Sequence, residues 1–147
     1  MSNFMNNGIL SSSTITAKAG AKLTDPRGKA VKFDDNGAVV LASTAGEFVA
    51  GIALLTMDAE VEAGKDVDIQ VQDFGYAMAG AEIKRGAALA ADASGKLVPA
   101  ASGNFIIGVA HEAAAADHFF RVRVCMMGYM GGAAAGADEG TDDETTV

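Results

Sequence analysis

Residues 46–53, GEFVAGIA, recur as residues 103–110, GNFIIGVA. Both copies keep the opening glycine, an aromatic at the third position and a closing Gly-aliphatic-Ala. The likeness extends downstream, where Val67-Asp68-Ile69-Gln70-Val71 to Gly75-Tyr76 matches Phe120-Arg121-Val122-Arg123-Val124 to Gly128-Tyr129. Upstream, Lys18 to Leu23 is matched with Lys84 to Leu89, and Asn36-Gly37 with Ser94-Gly95. A unit of this size repeated twice predicts two related halves, about 15–76 and 80–129. Short strands punctuated by glycine mark each half as all-β. What recurs is turn and core chemistry rather than a reactive side chain, which argues against an enzyme.

The strand pattern can be followed along the chain. Asp25-Pro26-Arg27-Gly28 has β-turn chemistry, with proline presetting φ and glycine closing. Ala30–Phe33 and Val39–Ala42 flank Asp35-Asn36-Gly37, a hairpin-type turn. Phe48–Leu55 is a nearly continuous apolar run, expected as a strand buried on both faces, with Phe48 and Phe105 in equivalent core positions. Val67–Phe74 alternates, with Asp68, Gln70 and Gln72 on a wet face. In the second half, Ile83–Ala90 and Leu97-Val98 read as strands around the turn Asp92–Gly95. Phe105–Ala110 reads as a buried strand. Phe120, Val122 and Val124 alternate with Arg121 and Arg123, whose wet face reads first as ordinary solubility and second as a surface that could pair with Asp68 and Gln70 across subunits. Between them, His111–His118 holds four alanines, and alanine favours a short helix.

Charge is uneven. The net charge of −8 is carried mostly by the last ten residues, where Asp138, Glu139, Asp142, Asp143 and Glu144 have no basic neighbour. The remainder sets eleven bases against fourteen acids. Neither part offers the basic face that a phosphate backbone requires, so nucleic acid is not an expected partner. Nor is a membrane. The longest uncharged stretches, residues 1–17, which are Asn- and Ser-rich, and Val124 to Ala137, which is glycine-rich, are 17 and 14 residues, whereas a spanning helix needs about 20 apolar residues. The start lacks the basic and apolar regions of a signal peptide. Cys125 is the only cysteine. It forms no intrachain disulfide and is expected as a small buried hydrophobe in a protein made in a reducing compartment.

Two constellations invite a metal reading and fail it on spacing. His111-Glu112 lacks a histidine at position 115, where a zincin helix needs one; His118 is seven residues on, about 10 Å along a helix. Asp34-Asp35-Asn36-Gly37 opens like a calcium loop, but its twelfth position is Ala45. The glycine-lysine pairs at 28–29, 64–65 and 95–96 lack the rest of a phosphate loop. No Gly-x-Ser-x-Gly elbow is present. No catalytic, cofactor or metal residue is assigned.

The two ends differ from the body. Residues 1–14 are Asn- and Ser-rich with apolar Phe4, Met5, Ile9 and Leu10, and read as an extended arm that orders on a partner. Residues 131–147 read as a Gly/Ala linker and an acidic tail with little to bury.

Residues 80–125 carry a further pattern: Gly86-x-x-Leu89, then Asp92-x-x-Gly95-Lys96-Leu97-Val98, then Gly103 to Ala116, then Phe120-Arg121-Val122-Arg123-Val124. It resembles the capsid cement, or head decoration, proteins of tailed phages. The resemblance implies a structural virion protein, made in the bacterial cytoplasm, that sits outside the capsid and stabilises the shell. It implies the major capsid protein as partner, a homotrimer, and an end segment that adds a strand to the capsid. The expected fold is a small β-barrel or β-sandwich, β-tulip-like, of two related halves spanning 15–130, with at most a short helix near 111–117. Contact candidates are Phe4, Met5, Ile9, Leu10, Arg121 and Arg123. The rival functions are a phage tail or baseplate accessory module and a small metal-dependent hydrolase around His111, Glu112 and His118.

Overall fold

A computed structural model describes residues 12–132. Among these residues there are strands and turns but no helix. The first half contains β1 (Thr14–Lys18), β2 (Leu23–Thr24), β3 (Ala30–Phe33), β4 (Val39–Leu41), β5 (Gly51–Ala53), β6 (Glu60–Val61) and β7 (Asp66–Gln70). The second contains β8 (Asp73–Met78), β9 (Ala88–Ala91), β10 (Leu97–Pro99), β11 (Phe105–Ala110) and β12 (Phe119–Tyr129). One sheet has the order β1-β7-β5-β3-β4, the other β8-β12-β11-β9-β10. Position by position these are the same sheet built twice. The small β2–β6 pair of the first half has its counterpart in a bridge between Ile83 and Ala114. The parallel bridge Ala19–Val39 has its counterpart in Ala79–Leu97. Both sheets keep open edges, so the fold is sandwich-like and not a closed barrel.

The turn chemistry repeats as well. Asp34 accepts hydrogen bonds from the amides of Asn36 and Ala38 through one carboxylate oxygen, and Gly37 takes φ 79°. Asp92 does the same for Ser94 and Lys96, with Gly95 at φ 86°. These aspartates are turn caps, which accounts for the calcium-like sequence without an ion.

Each half has its own apolar cluster. Val31, Val39, Ala53, Val61, Val67 and Ile69 are buried in the first. Their topological equivalents Leu89, Leu97, Ala110, Ala114, Phe120 and Val122 pack in the second, all but the partly buried Ala114 being buried. The second cluster also takes in Ala30, Ala42, Val49 and Ile52 from the opposite face of the first sheet. The two halves are therefore stacked, the first sheet sandwiched between both clusters. That explains why Gly51, Ile52 and Ala53 are all buried. Main-chain bonds fasten the stack: the Ala30 amide donates to Gly95, the Gly46 amide to Ala91 and the Phe105 amide to Gly46.

Several sequence expectations are corrected. The apolar run 48–55 is a strand only over Gly51–Ala53. Phe48 is 62% exposed while Phe105 is 5% exposed, so the two are not equivalent core residues; their rings meet edge-on at 4.9 Å. The stretch 111–118 is not helical: Ile83 and Ala114 exchange backbone hydrogen bonds, and Asp117 turns the chain at φ 65°. Cross-strand pairing there overrides alanine's helix preference. The run 67–74 is two strands, broken at Asp73 with φ 72°. Tyr76 consequently lies in the second half. The topology matches Ala19–Leu23 with Ala79–Ile83 rather than Lys18–Leu23 with Lys84–Leu89. Cys125 is half-buried rather than fully buried.

Candidate functional site, an uncovered sheet face

Because the halves share one topology, the central cross-strand rows have counterparts. In the first sheet Ala30, Ile52, Gln70 and Thr14 form one row across β3, β5, β7 and β1. In the second sheet the same row is Ala88, Val109, Arg123 and Phe74. Three of the four positions of the first row are covered, Ala30, Ile52 and even Gln70 being buried, while Thr14 at the edge is exposed. The second row has nothing over it among the described residues. Ala88 and Val109 are half-buried, Arg123 is exposed and Phe74 is 56% exposed.

The neighbouring positions diverge in the same direction. Thr16 faces Asp68 on the first sheet and hydrogen-bonds to it at 2.6 Å. Tyr76 faces Arg121 on the second. Lys18 faces Asp66 and forms an ion pair at 2.7 Å, where the second sheet has Met78 and Phe119. The first half shows that this fold stands with threonine, aspartate and lysine at these places. Folding alone therefore does not call for the aromatics and arginines of the second half. Large exposed apolar side chains grouped with arginine are the composition of protein-binding surfaces.

The face is preorganised. The Arg121 guanidinium lies 6.0 Å from the Tyr76 ring centroid and that of Arg123 5.8 Å from the Phe74 ring. Phe74 also meets His111 edge-on at 4.8 Å. Both distances fall within cation–π range. The nearby Tyr76 hydroxyl and the charge of Glu112 push the Arg121 guanidinium up, so it is cationic throughout the working range. Lys18, Lys22, Arg27, Lys32 and Lys96 are each ion-paired; among the described residues Lys29, Lys65, Lys84, Arg85, Arg121 and Arg123 are not.

The sequence-derived candidates fall out as follows. Arg121 and Arg123 share the face. Within the chain their cross-strand partners are Tyr76 and Phe74, not Asp68 and Gln70, which occupy the equivalent positions of the other half. Phe4, Met5, Ile9 and Leu10 lie outside the described residues. Sequence reasoning missed Phe74, Tyr76 and Phe119. The missing signal was the strand break at Asp73, without which Phe74 and Tyr76 cannot be aligned with Thr14 and Thr16. The two histidines do not converge: His111 stacks on Phe74, whereas His118 contacts the Ala116 carbonyl at 3.0 Å. No cluster of metal-ligating side chains occurs among the described residues.

At the end where β1 begins, a recess of about 310 Å³ adjoins the face, lined by Leu54, Leu55, Gln70, Phe74 and Tyr76 among others. Gln70 closes its floor, donating to the carbonyls of Gln72 and Asp73 at 2.9 and 3.0 Å. This pins the crossover from β7 to β8 and so fixes where Phe74 and Tyr76 sit.

Comparison with known proteins agrees with this architecture. No curated protein sequence matches the chain. Among solved structures, the head fiber gp8.5 N base in bacteriophage phi29 is similar to 76% of this chain and 92% of its own, at 21% identity and a TM-score of 0.58. At that identity the likeness is one of fold. The family model of the phage cement proteins matches residues 56–126, which take in β8 to β11 and β12 as far as Met126 and so most of the uncovered face. By that match, residues 56–126 of this chain are similar to the phage cement proteins.

Proposed function

We propose that the protein is a decoration protein that binds the outer surface of a phage capsid through the Phe74–Tyr76–Arg121–Arg123 face and reinforces the shell. The family supports the coarser statement, a phage capsid-associated structural protein. The observation that supports the docking role is the pair of equivalent rows: buried at Ala30, Ile52 and Gln70 in one sheet, uncovered and carrying arginine beside aromatic rings in the other. The fitting partner is a surface of the major capsid protein that offers carboxylates beside apolar side chains. Aromatic and arginine anchors dominate such contacts. Assembly as a trimer would multiply weak single contacts through effective concentration. Phe4, Met5, Ile9 and Leu10 would contribute by ordering on the capsid or on a neighbouring copy.

The test is co-sedimentation with expanded heads. The wild-type protein should pellet with heads, Arg121→Glu/Arg123→Glu should lose at least tenfold in affinity, and deletion of residues 2–11 should weaken binding while leaving the melting temperature unchanged. Equal binding of the arginine variant would remove this face from docking. Failure of every form to bind would remove the decoration role.

A further inference from the structure

The recess beside the face contains an acceptor that no group in the described chain uses. Gln70 is 5% exposed and is the one buried polar residue among the described residues. Both hydrogens of its Nε2 are committed, to the carbonyls of Gln72 and Asp73 at 2.9 and 3.0 Å. Two carbonyl partners fix the orientation of the amide, because an oxygen placed there could donate to neither. The Oε1 atom is therefore turned the other way, against Gly75, where an added Cβ would collide with it. No donor among the described residues bonds to this oxygen. Gln70 and Gly75 both line the recess.

The space is a departure from the repeat. Gly75 pairs with Val122 as Ile15 pairs with Ile69 in the first half. Ile15 packs on the core of its half. Gly75 has no side chain to pack, and the Gln70 amide takes up that position. β1 and β8 are edge strands, so the recess lies at the open side of both sheets. Leu54 adjoins the amide, and Leu55, Phe74 and Tyr76, all exposed, complete an apolar lining. An apolar concavity with one placed polar group is the usual form of a binding site, and about 310 Å³ is room for one side chain rather than a whole ligand.

We propose that this recess is a socket for one aromatic side chain of the docking partner, a tyrosine or tryptophan whose O–H or N–H donates to Gln70 Oε1. The buried oxygen requires a donor, and the leucines and rings require an apolar body. Tyrosine and tryptophan combine the two and are common interface anchors. Lysine and arginine also carry donors, but the Arg121 and Arg123 guanidinium groups already stand 6.0 and 5.8 Å from the Tyr76 and Phe74 rings. They would repel a third cation brought to the same rings. The partner's identity rests on the docking reading above; the socket itself does not.

Small analogues test the socket without the partner. Amide spectra of the full chain are titrated with p-cresol and 3-methylindole, the side chains of tyrosine and tryptophan. The control is 4-methylanisole, which carries a methyl in place of the hydroxyl hydrogen of p-cresol. Both donors should shift residues 54–56, 70 and 73–76. p-Cresol should bind about 3–10-fold tighter than the control, the worth of one neutral hydrogen bond. Leu55→Trp, which fills the mouth, should abolish these shifts. Absence of shifts with either donor would overturn the socket. Equal binding of p-cresol and 4-methylanisole would mean that water alone serves the oxygen, and would overturn the hydrogen bond. Tighter binding of n-butylguanidinium than of p-cresol would overturn the aromatic assignment. Shifts at these residues that grow with protein concentration alone would assign the recess to a second copy. Probe binding that appears only after deletion of residues 2–11 would assign it to the chain's own N-terminal segment. Either result would overturn the partner form. In co-sedimentation with heads, Leu55→Trp should bind about 3–10-fold more weakly than wild type. Unchanged head affinity of Leu55→Trp, with Arg121→Glu/Arg123→Glu weakened, would uphold the socket and overturn its part in docking. Analogue binding without head binding by any form would uphold the socket and overturn the docking reading instead.

Discussion

Gly51 and Gly108 hold the same place in the two halves, and the fold gives a quantitative reason for both. Each lies where its strand packs against the neighbouring long strand. A Cβ on Gly51 would collide with the backbone carbonyl oxygen of Gln70 and lie 2.7 Å from Ile69 Cγ2. A Cβ on Gly108 would collide with the carbonyl oxygen of Arg123 and lie 3.2 Å from Val124 Cα. The obstacle is backbone in a paired strand, so no rotamer change relieves it. The strands must separate, which costs about 1–3 kcal/mol for overpacking and about 1 kcal/mol for each weakened ladder hydrogen bond. Gly108→Ala is therefore expected to lose about 3–4 kcal/mol, and Gly51→Ala a similar amount. At about 2–4 °C per kcal/mol for a chain of this size, that lowers the melting temperature by roughly 6–16 °C. Gly103→Ala is the control. It has nothing within 4 Å of an added Cβ but sits at φ 83°, so it pays only the left-handed penalty of about 1–2 kcal/mol. The assay is chemical denaturation of all three variants. If Gly108→Ala is no less stable than Gly103→Ala, the close approach of β11 and β12 does not explain the glycine. If Gly51→Ala and Gly108→Ala differ by more than about 2 kcal/mol, the two halves are not energetically equivalent there.

Three further outcomes can be checked in the same way. Burial pushes the Glu47 carboxyl up, but hydrogen bonds from Lys32 and from the amides of Ser43 and Thr44 outweigh it and leave the pKa below 4.5. A depressed carboxylate stabilises above its unfolded pKa, so Glu47→Gln should cost about 1–2 kcal/mol at pH 7. That difference should fade as pH drops below about 4.5, and a pH-independent difference would contradict it. Phe105→Ala should cost about 3–5 kcal/mol in urea unfolding and Phe48→Ala less than about 1.5, because only the former is buried; equal costs would refute the asymmetry. Asp34→Ala and Asp92→Ala should each cost about 1–2 kcal/mol through loss of the turn cap, with no calcium-dependent change in melting; a calcium shift would revive the ion-loop reading.

Much of the fold was legible because the chain writes its signature twice. Gly-aliphatic-Ala, the capped Asp-x-x-Gly turns and the alternating strand before Gly128 each come from a steric or hydrogen-bonding demand local to a few residues. What was not legible depended on partners distant in sequence. Phe48 and Phe105 share a motif, yet only Phe105 is closed over, because Phe48 and Tyr129 pack against its ring from outside. The alanines of 113–116 read as helix because nothing local shows that Ile83 will bridge to Ala114. Arg121 and Arg123 were visible as an alternating pair. Their aromatic partners were hidden behind a backbone reversal at Asp73, a residue type that tolerates positive φ but does not announce it.

The stacked halves also bear on what a further unit of the same kind would meet. A unit whose upper surface seats the next unit is, in principle, an open-ended column; contacts of this head-to-tail kind grow into fibres when nothing closes them. Here the first storey ends in alanine and isoleucine and accepts a second. The second ends in two stacked cations, which a further storey of the same kind would have to bury unpaired. Such burial costs several kcal/mol per charge. A third unit would therefore meet arginines where the second unit met an apolar surface.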